Sequence, residues 1–183
     1  MKKNFPNIFL IFALIGFFNI IYAEELTTIN QSLKEDFKTT TTIEKKEFTL
    51  TDDQLEKLKN KVGSSIYSEY DKTIPIYLIK KDQQTIGYAL EHTVKGKWGP
   101  IHYLLVVSPQ GKILNIHILS YEEKRGQPIA KPRFISQFIA KSINNSIRLK
   151  KDIQGITGAT ISSRGITDGV RKLLTVFEEF RKL

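Results

Sequence analysis

The feature that most limits this chain is a run of β-type segments from Ile74 to Leu119, joined by very short links. Ile76-Tyr77-Leu78-Ile79 ends at the polar turn Lys81-Asp82-Gln83-Gln84, and a second strand passes through Ile86, Tyr88 and Leu90. After Gly96-Lys97-Trp98-Gly99-Pro100 comes the β-branched and aromatic run His102 to Val107. Ser108-Pro109-Gln110-Gly111 is a turn by composition, and Ile113 to Leu119 alternates like a half-buried strand. A parallel crossover needs about a dozen residues, so these neighbours must run antiparallel.

Helices flank the strands. Thr51-Asp52-Asp53-Gln54 has the form of a capping box, opening a helix with Leu55, Leu58 and Val62 at helical spacing and Gly63 at its end. Phe134, Phe138 and Ile139 mark a short amphipathic helix. Ile166, Val170, Leu173, Leu174, Phe177 and Phe180 mark a longer one. Helix, antiparallel sheet and helices in separate blocks predict an α+β domain over 50–183. Residues 24–49 are polar, include Lys38-Thr39-Thr40-Thr41-Thr42 and show no sustained period, so they read as a flexible N-terminal segment.

The first 23 residues have another character. Met1-Lys2-Lys3 is a positive start, Ile8 to Tyr22 is almost wholly apolar, and Ala23 precedes Glu24-Glu25. This is the pattern of a secretory signal peptide, shorter than the roughly 20 residues that span a bilayer comfortably. The bulky Ile21 leaves an uncleaved N-terminal membrane anchor as the alternative. Export, for instance to a periplasm, is the expectation either way. The chain has no cysteine, which excludes disulfides, thiolate metal sites and cysteine-ligated haem or iron–sulfur centres. Redox chemistry would need a borrowed cofactor. Formal charge is +9 over 183 residues, and +7 without Lys2 and Lys3. The lysines are scattered and the chain reads as exported, so solubility or acidic partners explain the charge better than nucleic acid. His92, His102 and His117 lie on strands at no metal-ligand spacing and read as structural.

Chemistry concentrates between the last two helices, in Asp152-Ile153-Gln154-Gly155-Ile156-Thr157-Gly158-Ala159-Thr160-Ile161-Ser162-Ser163-Arg164-Gly165. Gly158 and Ala159 allow close approach to the backbone. Thr157, Thr160, Ser162 and Ser163 supply hydroxyls, and Arg164 supplies a planar cation. At a helix start this suits a phosphate. It equally suits a capped helix after a glycine turn, and the residues alone leave both readings open. There is no lysine after the glycines and no P-loop spacing.

Thr157-Gly158-Ala159-Thr160-Ile161-Ser162-Ser163 resembles the Ser/Thr-Gly-Ala-Thr-x-Thr/Ser-Ser motif of the FMN-binding domain family. That domain occurs in peripheral flavin subunits of sodium-pumping NADH:quinone oxidoreductases and Rnf-type complexes, and in free-standing exported proteins. The resemblance extends over roughly Ile74 to the C-terminus. Glu123-Lys124-Arg125-Gly126, Arg133-Phe134 and Gln137-Phe138 resemble a further family segment. Lys95 to Pro100 falls where members have a glycine-rich connection near the flavin, and there Trp98 could stack on the ring or be a plug.

The resemblance implies FMN as cofactor, joined by a phosphoester to Thr160 through a separate flavin transferase that uses FAD. Glu123 and Arg125 join the cofactor-binding candidates on the same ground. One departure is Gln154, where members recognised by the transferase usually carry aspartate, and Asp152 lies two residues earlier. Noncovalent FMN therefore stays open beside the tether. The implied function is an electron carrier between a membrane redox partner and another exported protein, with no catalytic side chain and no metal of its own. A flavin-free accessory module of a membrane redox complex and a reductase of a small acceptor are the alternatives.

Overall fold

The computed structural model describes residues 28–38, 41–63, 71–121 and 127–183; the leader 1–23 lies outside them. At its centre is a five-stranded antiparallel sheet with the strands in chain order: β1 (Thr42–Thr49), β2 (Thr73–Lys81), β3 (Gln84–Lys95), β4 (Pro100–Val107) and β5 (Ile113–Tyr121). The helices are α1 (28–37), α2 (Asp52–Val62), the single turn α3 (Pro132–Ile135) and α4 (Thr160–Phe180). The fold is α+β.

Helices cover both faces of the sheet. On β4, Tyr103, Leu105 and Val107 join Leu90 of β3 and Ile166, Val170, Leu173 and Phe177 of α4 in the larger core. Leu104 and Val106 point the other way, toward Tyr77, Ile79 and Ala89 and toward Ile29 and Leu33 of α1. A strand buried on both sides reads as a continuous apolar run, as Tyr103 to Val107 does. The expected capping box of α2 is present: Gln54 N–H donates to Thr51 Oγ1 (3.3 Å), and Thr51 N–H donates to Gln54 Oε1 (2.9 Å).

Within the segment 24–49, read from sequence as flexible, the described residues 28–38 and 41–49 differ from that expectation. Within them α1 buries Ile29 and Leu33, with Phe37 packed alongside, and β1 pairs with β2 from Thr42↔Lys80 to Thr49↔Thr73. The signal was the i, i+4, i+8 spacing of these three apolar residues, masked by polar residues on the solvent side. Asp36 accepts from Asn115 (2.8 Å) and pairs with His117 (2.7 Å), tying α1 to β5. Gly87 makes room for the Phe37 ring, which an added Cβ would overlap.

The helix expected around Phe134, Phe138 and Ile139 is also shorter than its pattern. It stops at Ile135, the chain turns through Ala140 at φ +63°, and Ile139 is exposed while Phe134 and Phe138 are buried.

On its own face α4 lies close to the hairpin β3–β4. A Cβ on Gly165 would sit 2.6 Å from the Lys95 carbonyl oxygen, and one on Gly169 2.5 Å from Tyr103 Oη. Beneath this contact lies a buried polar chain. Lys172 Nζ donates to Asp71 Oδ2 (2.7 Å), Asp71 Oδ1 meets His92 Nε2 (2.7 Å), and His92 Nδ1 lies 3.5 Å from Tyr103 Oη. Burial pushes His92 below its ordinary 6.5, against the pull of Asp71, and Lys172 adds to the lowering. Burial likewise lowers Lys172, opposed by Asp71. On the other face Glu91 receives Tyr77 O–H (2.6 Å) and pairs with His102 (2.8 Å). Each of the three histidines is thus paired with a carboxylate.

Candidate functional site

The loop ahead of α4 is built from inside outward. Asp152 folds its near end: its carboxylate accepts Ile147 N–H (2.8 Å) and Arg148 N–H (2.6 Å), with Lys141 at 3.6 Å. Burial would raise this carboxyl, but the backbone donors outweigh it and hold it below its ordinary range. Asp152 is therefore committed to the turn, and it does not stand in for the aspartate missing at Gln154. Gln137, just past α3, braces Gln154 like a strand partner. Its Oε1 accepts Gln154 N–H (2.7 Å) and its Nε2 donates to Gln154 O (3.2 Å).

The far end is held by the two serines of the motif. Both are fully buried. Ser163 Oγ accepts Ile156 N–H (3.1 Å) and donates to Ala159 O (2.9 Å), closing the loop on itself. Ser162 Oγ accepts Lys97 N–H (3.1 Å), fastening the β3–β4 link to the first turn of α4. Ser162 and Ser163, candidate ligand donors from sequence, thus turn inward and fix the loop.

What remains on the surface is a short list of groups. Thr157, Gly158, Thr160 and Arg164 are exposed, and Ala159 is buried at the N-cap of α4. Gly158 has φ +81°, where glycine is favoured, and a Cβ there would meet nothing within 4 Å, so the space before the loop is open. Among the described residues no side chain caps α4. Its 21 residues begin with the free N–H groups of a first helical turn and the positive end of the helix dipole. Thr160 is the first helical residue and Arg164 lies four residues on, hence on the same face.

Two clefts adjoin this surface. One, about 540 Å³, is lined by Lys131, Arg133, Phe134, Gln137 and Gln154 to Thr157. The other, also about 540 Å³, is lined by Thr93 to Pro100. Trp98 in the second is 61% exposed, with Lys97 Nζ 5.1 Å from its ring centroid. It therefore plugs no core. Glu123 and Arg125 lie outside the described residues. Lys131 is an addition that the sequence reading missed; its signal was the Lys-Pro pair that opens α3.

Arrayed this way, the loop offers an anion one exposed hydroxyl at an uncapped helix start, a cation on the same face, and an aromatic side chain nearby. Among the described residues no group of three metal-ligating side chains converges, and no helix is long and apolar enough to cross a membrane.

Residues 96–175 match the family model of the FMN-binding domain. The chain is similar to the G subunit of the proton-translocating ferredoxin:NAD(+) oxidoreductase complex of Clostridium ljungdahlii, with 35% identity over 52% of this chain and 56% of that protein. It is 26% identical to the G subunit of the Na(+)-translocating ferredoxin:NAD(+) oxidoreductase complex of Acetobacterium woodii, over 70% of this chain and 65% of that one. It thus spans less than two thirds of either relative's length. A crystal structure of NqrC from Shewanella oneidensis aligns with a TM-score of 0.49 and 16% identity, over 61% of this chain and 60% of that chain.

Proposed function

We propose that residues 96–175, which match the FMN-binding domain, form such a domain here, and that this protein is an electron carrier with FMN tethered at Thr160. The observation that carries the reading is the placement of Thr160. It is an exposed hydroxyl at the first position of a long helix whose N-cap, Ala159, supplies no capping side chain, two residues after a glycine with open space before it.

The residues present fit the cofactor. The N–H groups at the start of α4 and Arg164 would hold the phosphate, since fixed donors and a cation stabilise negative charge. Gly158 lets the phosphate approach the backbone. The cleft bounded by Arg133, Gln137 and Thr157 offers surface for the ring system. FMN, when bound, supplies the electron-transfer chemistry, and the protein's part is to hold and orient it. Ser162 and Ser163 act behind this surface by keeping the Trp98 link and the loop in fixed relation.

A phosphoester leaves the ring system untouched and prevents loss of the cofactor into a dilute medium. That suits a chain with the leader pattern of an exported protein and no cysteine. A flavin transferase is the maturation partner. The redox partner is a membrane ion-translocating oxidoreductase of the kind to which the relatives' subunits belong.

Co-expression with a flavin transferase, followed by denaturation and absorbance in the flavin bands, tests the assignment. Flavin is expected to stay with the denatured chain and to be lost in Thr160→Ala, while the unfolding free energy stays within about 0.5 kcal/mol of the parent because an exposed hydroxyl is removed. Gln154→Asp is expected to raise the labelled fraction. Colourless protein under every condition would instead support the accessory module.

A further inference from the structure

The basic residues are spread along the chain, but the acidic ones are not. Residues 1–91 hold 12 Lys and Arg against 13 Asp and Glu, and residues 165–183 hold 4 against 3. Residues 92–164 hold 12 against 3, a net +9 that equals the charge of the whole chain. This is the part that builds the site.

The fold gathers several of these cations around the flavin loop. Lys95 and Lys97 lie on the β3–β4 link that Ser162 fastens to α4, Arg164 is on the first turns of α4, and Lys131 and Arg133 line the cleft that reaches Thr157. All five are exposed. Of the described carboxylates nearby, Asp168 acts on Arg164 in part. Asp152 is occupied by two backbone N–H groups and Lys141, and Asp168 is partly buried with Arg171 at 3.8 Å. A phosphate brings at most about two negative charges. The net +9 of residues 92–164 exceeds what the cofactor needs.

Two exposed apolar side chains lie on the same segments, Trp98 on the β3–β4 link and Ile161, 52% exposed, on α4 beside Thr160. An aromatic anchor among charged groups is the make-up of a small, electrostatically steered protein interface. A membrane surface fits less well. The apolar stripe of α4 is spent in the core, two side chains give little to insert, and lipid over this loop would insulate it.

We propose that the surface around Trp98 and Ile161, with Lys95, Lys97, Lys131, Arg133 and Arg164, is the docking face for an acidic redox protein. Its redox meaning rests on the FMN reading; the charge pattern does not.

Trp98 is the sole tryptophan of the chain, so its fluorescence reports from this face without any flavin. With flavin-free protein, iodide is expected to quench it several-fold more efficiently than caesium at low salt, the difference fading at high salt. The acidic soluble domain of cytochrome b5 is expected to quench it saturably, and the basic cytochrome c is not. Lys95→Glu/Lys131→Glu is expected to weaken the cytochrome b5 titration about tenfold at low ionic strength and little at high salt.

With flavin-loaded protein, reduction of cytochrome b5 should slow with salt while that of cytochrome c does not. Equal quenching by iodide and caesium, or preference for cytochrome c, would overturn the proposal. So would a blue shift of Trp98 on phosphatidylglycerol vesicles with no cytochrome b5 binding. Protein that shows the fluorescence pattern yet never holds flavin would sink the FMN reading and leave the acidic partner standing.

Discussion

The two faces of the sheet are closed by different kinds of contact. Under α4 the critical approach, at Gly165, is backbone against backbone, over the Lys95 carbonyl, while Gly169 lies against the Tyr103 and Val94 side chains. Under α1 the matching contact is Gly87 against the tip of the Phe37 ring. A ring tip can swing aside, whereas a carbonyl within a paired strand cannot. The functional loop starts from the face with no slack, because Thr160 is the first residue of the helix that Gly165 and Gly169 seat. The adaptable face serves to close the core.

The sharpest way to break this contrast is through the charges buried beneath α4. Asp71→Asn leaves Lys172 buried without its counter-charge and is expected to cost about 3–5 kcal/mol in urea unfolding. Gly165→Ala should come next, at about 2–3 kcal/mol, because the Lys95 carbonyl must shift. Gly87→Ala on the other face should cost about 1 kcal/mol or less, through reorientation of Phe37. Equal losses from the two glycine variants would erase the distinction.

The smallest effect is a separation in pH. His92 titrates below its ordinary 6.5 in the folded protein, so the unfolded chain takes up protons first as pH falls. Stability is therefore full above 6.5 and declines below it, by way of the α4 face. On the α1 face burial would raise Glu91, but the bonds from His102 and Tyr77 outweigh it and leave it below its ordinary 4.5. Its contribution is present above 4.5 and lost only as pH falls further. Thermal unfolding followed from pH 8 to 4 should show the first decline in the parent and a weaker one in His92→Gln.

The sequence made the α4 face legible and the α1 face nearly invisible, for a physical reason. The strands from Ile74 to Leu119 and the stripe Ile166 to Phe180 are long apolar patterns whose period the core imposes. α1 contributes only Ile29, Leu33 and Phe37, and β1 is an edge strand with six of its eight residues exposed, so Thr, Glu and Lys dominate its composition. At the site, the motif located the loop but not the direction of its hydroxyls. Ser162 and Ser163 look like donors in sequence, and only the bonds to Lys97 N–H and Ile156 N–H reveal them as fasteners. Charge segregation was hidden differently, since lysines draw the eye and missing carboxylates do not.

The glycine pair four residues apart on α4 carries a consequence for anyone who would graft this loop elsewhere. Moving 154–160 onto a foreign helix would keep the chemistry of the motif but not its aim. Without Gly165 and Gly169 the helix would ride higher on its strands, and the Ser162 hydroxyl would no longer reach Lys97. The portable unit is the loop, the glycine pair and the β3–β4 link together, and the hydroxyl points where it does because of residues that never meet a ligand.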